Sequence, residues 1–452
     1  MRRLALFAAL GLACAGLACR APQKERQAPL NVIFILLDTL RADHLSAYGY
    51  GKETTPSLAA FAREGVLFEQ ARSQAACTFP SVNSILTSRW PAVFLGQPGG
   101  RMGIPEGIAA LPEILGGRGY RTIAVSASPI VRRSPSQHNA HGGFARGFEL
   151  FDETCFHRRA DCVNRRARRY LNHVSEPLFL YLHYMDAHSV YEPPSPYRER
   201  FVEPYPEGRS WVVEGNLRPL QLSLAGKGPH VEVSARDMSF LRGLYDGEIA
   251  YLDSQLGALF ADLEARGLFE RSIVIVAADH GEEFMEHGRI FHCELLFDSS
   301  IHVPLLVRAP GLERRGRISA LVQNLDIAPT ILDYLGLAAD PKFEGVSLRP
   351  LIARQTPLHD SSEALQYALR SVTDGRAKLV FDQKSRRFQL FDLVADPLEL
   401  KDVLPRNRPV YARLRGRLET WLAQVEGGLA AAGSMEKARE SERQLKALGY
   451  LQ

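Results

Sequence analysis

Residues able to do chemistry gather at four places in this sequence, each beside an apolar run. Asp38 ends the first run. Thr78 stands in Ala76-Cys77-Thr78-Phe79-Pro80-Ser81, a turn leading into an apolar stretch over 82–87. His188 closes Tyr184-Met185-Asp186-Ala187-His188. Asp279-His280-Gly281-Glu282-Glu283 follows Ala278, with His287 and His292 in the glycine-containing loop beyond. Carboxylates and imidazoles from separate strand ends are the usual donors for a divalent cation of the zinc, manganese, magnesium or calcium type. A hydroxyl at the start of a helix faces N–H groups without intrahelical partners and the positive end of the dipole, a setting that suits an oxyanion. Imidazoles beside such a centre exchange protons near neutral pH. An isolated Asp-His-Gly is more often a capped turn than a ligand pair, so the four places count only if the fold brings them together.

The elements that must do so are legible from apolar periodicity. Asn31-Val-Ile-Phe-Ile-Leu-Leu37 is a continuous β-branched and apolar run, as expected of a strand buried on both faces. It delivers Asp38 to the carboxyl edge of a sheet, where open α/β sheets bind ligands. Similar runs cover 122–126, 178–184, 272–277 and 303–307, and helical patterns over 55–64, 163–174 and 235–266 separate them. Alternating strands and helices imply an α/β fold with a doubly wound, mostly parallel sheet and helices on both faces. Residues 325–330 open a further helix that ends at Leu335-Gly336. Beyond about 345 the pattern changes to short strands at 377–382 and 388–393 and a final amphipathic helix over 409–425, which reads as a small sheet-and-helix subdomain. The expected organisation is a main domain over 30–345 and a C-terminal subdomain over 346–452.

Composition excludes some classes. The 452 residues are 46% hydrophobic and 23% charged with a net charge of +4, ordinary globular values that give no electrostatic case for nucleic acid. Residues 1–19 read as a secretory signal: Arg2-Arg3, a short apolar run, then Cys19. Gly16-Leu17-Ala18-Cys19 resembles the lipobox of bacterial lipoproteins, which would anchor the chain to a membrane through Cys19. The alternative is an ordinary cleaved signal. Residues 20–29 read as a polar tether. An exported bacterial chain, periplasmic or membrane-anchored, holds Cys77, Cys155, Cys162 and Cys293 under oxidising conditions. Cys155 and Cys162 are close enough to bridge, although spacing does not establish a bond.

Taken in order, the motifs resemble the sulfatase family of the alkaline-phosphatase superfamily over essentially the whole exported length. The resembling stretches are Leu36-Leu37-Asp38-Thr39-Leu40-Arg41-Ala42-Asp43-His44-Leu45, Thr55-Pro56-Ser57-Leu58, Thr78-Phe79-Pro80-Ser81, the segment 245–253, Asp279-His280-Gly281-Glu282-Glu283, Asp326-Ile327-Ala328-Pro329-Thr330, and Leu390-Phe391-Asp392-Leu393 with Asp396-Pro397. The resemblance implies an alkaline-phosphatase-like fold and an ester hydrolase. In that family Cys-x-Pro-x-Arg, or Ser for Cys, supplies a formylglycine nucleophile. Aligned on Pro80, Thr78 takes the nucleophile position and Val82 the arginine position, while Cys77 is one residue too early. An unmodified Thr is similar to the phosphoester-cleaving side of the superfamily, where the hydroxyl is activated by a metal.

The resemblance therefore implies one divalent metal (Zn, Mn, Ca or Mg) held by Asp38, Thr78, Asp279 and His280, with Thr78, His188 and His292 as catalytic residues. Thr39 replaces an acidic residue of the calcium-binding sulfatases and weakens a four-carboxylate site. Asp186 with His188 is a candidate for a second metal. His44, His287 and Glu282 read as turn or capping residues at least as readily as catalytic ones, and Asp246, Glu248 and Asp253 as surface or packing residues on a helix. The expected substrate is a small-molecule or glycan- or lipid-linked anionic ester, selected by the insert over 193–233, which is long for a connector. The basic stretch over 158–169 reads as a solvated helix face, the alternative being a patch that steers an anionic substrate. A phospho-group transferase, a sulfate-ester hydrolase without formylglycine and a binding protein that lost catalysis are the alternatives.

Overall fold

Strands form where both faces of a run can be buried. The computed structural model describes residues 29–95, 103–156, 159–173, 177–205 and 209–425. Its main sheet contains β1 (Asn31–Leu37), β2 (Val66–Arg72), β3 (Arg121–Ser126), β4 (Leu150–Asp152), β5 (Leu178–Tyr184) and β6 (Ser272–Ala278). The hairpin of β7 (Glu283–Phe284) and β8 (Ile290–Phe291) stands apart, and β9 (Leu305–Arg308) and β10 (Gly316–Gln323) complete the sheet in the order β10-β2-β9-β6-β1-β5-β3-β4. Every residue of β1, β5 and β6 is buried. Ile33, Ile35 and Leu37 enter the core on one face, and Val32, Phe34 and Leu36 enter the core on the other. The helix Ala235–Ala265 covers the first face, and the helices Thr78–Thr87 and Ile327–Tyr334 cover the second.

The expected doubly wound, mostly parallel sheet is present, with one strand reversed. β9, read in the sequence as one more member of the parallel series, runs antiparallel to both β2 and β6. β2 and β10 pair in parallel at the sheet's end and escape the sequence reading, because charged and polar residues interrupt both runs (VLFEQAR and GRISALVQ).

The C-terminal part is a four-stranded antiparallel sheet of β11 (Ser362–Gln366), β12 (Leu369–Thr373), β13 (Ala377–Asp382) and β14 (Arg387–Asp392). The helix Arg408–Val425 packs Leu414, Leu418, Trp421 and Leu422 on one face of it. Lys378, buried in β13, is ion-paired with Asp298 and with Glu399 at 3.0 Å, and Arg72 at the end of β2 reaches Asp298 at 2.8 Å. Buried charges persist only when paired in this way.

The helix acids Asp246, Glu248 and Asp253 are buried, which settles them as packing rather than surface residues. Asp253 accepts from the Ser57 and Leu58 N–H groups at 2.8 and 2.9 Å, capping the helix Pro56–Glu64. Asp246 pairs with His44 at 2.7 Å, so His44 is a structural residue. On the helix Ala160–His173, Arg165 pairs with the partly exposed Asp161 and Arg166 with the buried Asp152. Cys155 is bonded to Cys162, and Cys77 to Cys293, 216 residues away. Cys19 and residues 1–19 lie outside the described residues.

Candidate active site

Two adjacent parallel strands deliver two carboxylates side by side. Leu37 of β1 is in register with Ala278 of β6, so the next residues, Asp38 and Asp279, leave the sheet together. The chain then turns sharply: Thr39 has φ +55°, a conformation L residues avoid. Its N–H donates to Asp279 Oδ1 at 3.3 Å, its hydroxyl donates to the Asp38 carbonyl at 2.8 Å, and the Tyr245 hydroxyl donates to its carbonyl at 2.8 Å. Thr39 thus supports the turn, and its hydroxyl is already committed to the backbone. Gly281 is required beside this turn, since a Cβ there would sit 2.0 Å from the Ser299 carbonyl oxygen.

Asp38, Asp279 and His280 are buried and form a group able to hold a metal ion, with donor atoms all within 4.8 Å of one another. Asp38 Oδ1 and Asp279 Oδ2 have no hydrogen-bond partner, and they lie 3.8 and 3.5 Å from His280 Nε2. Donors bonded at about 2.0–2.2 Å to one ion come within a few ångströms of each other, so this convergence fits a cation. His280 Nδ1 donates to the Gly281 carbonyl at 2.9 Å, which leaves the Nε2 lone pair facing the carboxylates. Burial raises the Asp38 pKa to about 7, with His292 opposing and Glu282 adding to the rise. Burial and the neighbouring Asp38 push Asp279 well above the usual carboxylate range. Burial, then the charge of His292, holds His280 well below its ordinary value. Such orphaned, like-charged atoms are costly unless a cation or protons neutralise them.

Thr78 meets this group from the other side of the cleft. It opens the helix Thr78–Thr87, whose ten residues are all buried, and its Oγ1 is 3.2 Å from His280 Nε2. The hydroxyl therefore lies at both the positive end of a helix and the metal-competent group.

His188 and His292 come from loops beyond the sheet edge. Their ring centroids are 5.1 Å apart, and His292 lies 4.4 Å from the His280 ring. His188 Nδ1 is 2.6 Å from the Ser189 carbonyl. His292 Nδ1 is 2.9 Å from Glu282 Oε1, and the Tyr191 hydroxyl donates to Glu282 Oε2 at 3.0 Å. Burial alone would disfavour charge on His292. The adjacent Glu282 carboxylate overrides it and raises the pKa above the ordinary value.

All six residues singled out in the sequence, Asp38, Thr78, His188, Asp279, His280 and His292, are thus gathered at one cleft. Asp186 is not part of the metal-competent group found among the described residues. Its Oδ1 accepts from the Ala160 N–H at 2.9 Å, and burial raises its pKa to about 7. His287 stacks on Phe297 at 3.6 Å and reaches Glu283 and the Leu398 carbonyl, a structural setting. Glu282, read equally as a turn residue, instead joins Tyr191 to His292.

Sequence reasoning missed His183 and Tyr181. Burial lowers the His183 pKa to about 4, so the ring is neutral. The Tyr181 hydroxyl donates to Nδ1 at 2.9 Å, and Nε2–H then donates to Asp38 Oδ2 at 3.0 Å. This relay orients the carboxylate and leaves Oδ1 for a cation. A histidine inside a strand next to the one bearing Asp38 was the available signal.

The reversed β9 in an otherwise parallel sheet, the second antiparallel sheet and the buried Asp-Asp-His cluster at the strand ends define a protein of the alkaline-phosphatase-like superfamily. The Sulfatase family pattern matches residues 30–337, and the pattern for the C-terminal region of N-sulphoglucosamine sulphohydrolase matches residues 285–427. The chain belongs to the sulfatase family. Arylsulfatase K of Mus musculus is 30% identical over 213 residues, 43% of this chain and 38% of the relative, so the match spans well under half the relative's length. An ulvan-active sulfatase of Formosa agariphila is 23% identical over 95% of this chain and 86% of its own. The phosphonate monoester hydrolase of Agrobacterium radiobacter superposes with a TM-score of 0.72 over 88% of this chain and 96% of that one, at 22% identity, which establishes the common fold.

Proposed function

We propose that this protein is an exported, metal-dependent hydrolase of sulfate or phosphorus esters in which Thr78 is the nucleophile. The observation that carries the reading is the Thr78 hydroxyl at a helix start, 3.2 Å from His280 Nε2 and beside two buried carboxylate oxygens without partners. Asp38, Asp279 and His280, with Thr78 Oγ1, would hold the cation. A divalent cation supplies positive charge that acidifies a hydroxyl and draws electrons from a non-bridging ester oxygen. Thr78 Oγ1, its hydroxyl proton given up to solvent, forms a bond to sulfur or phosphorus as the bond to the leaving oxygen breaks. His292, whose outer nitrogen is held by Glu282, supplies the proton that the leaving oxygen takes up, and His188 bonds the ester's remaining oxygens. Water then cleaves the threonine ester and restores Thr78.

The substrate is a small-molecule or a glycan- or lipid-linked anionic ester. The insert bears on this, because its helix Arg218–Leu224 packs against β8, next to His292. The relatives bear on it too: one is described as ulvan-active, another as a choline-sulfatase, and a structural neighbour as a phosphonate monoester hydrolase. Export is supported by the signal-like residues 1–19 and by two disulfides, which persist in oxidising compartments, and Cys19 is the proposed lipid anchor.

The test is Thr78→Ala assayed with phenyl esters of sulfate, phosphate, a phosphodiester and methylphosphonate, together with metal analysis. The variant should fold, keep a metal on the three remaining donors Asp38, Asp279 and His280, and lose turnover by at least about a thousandfold. Turnover close to that of the parent would remove Thr78 from the mechanism.

A further inference from the structure

Cys77 immediately precedes Thr78, Cys293 immediately follows His292, and the two are bonded. The same two strands of chain are joined again by the Cys293 N–H donating to the Ala76 carbonyl at 2.7 Å. Both cysteines are fully buried. The backbone around His292 adopts conformations that it would not take by itself: Phe291 and Cys293, neither of them glycine, have φ values of +65° and +75°. Something outside the loop must hold it. Glu282 fixes the rotation of the His292 ring through Nδ1, but a side-chain bond does not fix where the backbone lies.

We propose that the Cys77–Cys293 disulfide is a strap that sets the position of His292 relative to the Thr78 hydroxyl, so that Cys77 and Cys293 are positioning residues for the ester cleavage. The proposal rests on the functional reading above, in which Thr78 attacks and His292 serves the leaving oxygen. The bridge links residue to residue, with one peptide unit between each sulfur-bearing residue and its catalytic neighbour. The strap therefore leaves little slack between them, and a displacement of about 1 Å at such a centre can cost on the order of a hundredfold in rate. A bridge that closes 216 residues would also stabilise the fold, and that role has to be separated from the positioning one.

A double-mutant cycle separates them. The parent, the Cys77→Ala/Cys293→Ala pair, His292→Ala and the triple variant are compared for kcat and KM on phenyl sulfate or phenyl methylphosphonate, whichever is turned over. Circular dichroism and bound metal are checked in each. The cysteine pair is expected to lower kcat by about 10- to 100-fold with KM changed by less than about threefold. In the His292→Ala background the same pair should cost less than about twofold, because the residue being positioned is gone. An equal loss in both backgrounds, or none in the first, overturns the strap. An unchanged kcat in His292→Ala overturns the functional reading of His292 and the strap with it. Should the pair fail to fold, one glycine inserted between His292 and Cys293 keeps the bond and slackens it. That insertion is expected to give the same His292-dependent loss, and an undiminished kcat overturns the proposal.

Discussion

The two sides of the cleft are built differently. Asp38, Asp279 and His280 follow two central strands whose register is fixed by hydrogen bonds along their length, and they are buried in the middle of the molecule. His188 and His292 sit on loops, outside any strand, and the contacts that place them include a neighbouring carbonyl, the Glu282 carboxylate and a disulfide. The sheet makes a rigid place for charge. The loops set what that charge acts on, and loops are where members of one fold diverge.

The comparison breaks most sharply with one substitution on each side. Asp279→Asn should abolish metal binding and lower turnover by at least about a thousandfold for every ester, because it removes one of the two negative charges in the Asp38, Asp279 and His280 group. His292→Ala should keep the metal and lose turnover according to the leaving group. About a hundredfold is expected with alkyl esters, which need a proton, and little with 4-nitrophenyl esters, which do not. Metal content by atomic absorption and a leaving-group series decide the matter. A uniform loss across the series would mean that His292 only binds.

His183→Phe sharpens the sheet side. Without the Nε2–H bond to Asp38 Oδ2 the carboxylate can rotate, and metal affinity should fall by about 10- to 100-fold while turnover at saturating metal stays near the parent's. Titration of the metal-free variant measures it. An unchanged affinity would reduce the Tyr181–His183 relay to simple packing.

Legibility in the sequence followed the same division. Asp38 and Asp279 stood out because each ends an uninterrupted apolar run, and Thr78 because a helical pattern begins with it. His183 was hidden because in β5 it occupies an interior position of the same kind of run, where a residue reads as core. The Glu282–His292 bond and the Cys77–Cys293 bridge were hidden because partners 10 and 216 residues apart leave no periodic trace. The antiparallel sense of β9 was hidden for a similar reason, since an apolar run carries no direction. The fold class needed only local pattern, whereas the supports of the site needed the tertiary structure.

The smallest effect expected is in the pH dependence of stability, and its sign distinguishes the two sides. In the metal-free protein the folded pKa of Asp38 is about 7, against about 3.9 unfolded, and burial beside Asp38 holds that of Asp279 well above its ordinary value. The folded state therefore binds more protons than the unfolded one, and stability falls as pH rises through 7. His183 and His280 act the other way, since their folded pKa values lie below an unfolded value of about 6.5, but their contribution is complete once pH exceeds that value. The window to compare is therefore about pH 6.5–8, in which His292, raised above its ordinary value by Glu282, also loses its proton. Asp186 and Glu399, also held near 7 by burial, lose protons in the same window whether or not metal is bound, so the difference between the two forms removes them. A bound cation replaces the protons on Asp38 and Asp279, so the gap in Tm between metal-loaded and chelator-treated protein should widen from pH 6.5 to 8. Each kcal/mol shows as about 1 °C in a protein of this size. His292→Ala should keep most of that widening and Asp279→Asn should abolish it, because the effect belongs to the carboxylates the sheet holds and not to the loops. A gap that stays constant with pH would mean that the two aspartates carry no shared charge penalty, and that the cleft was not built around a cation.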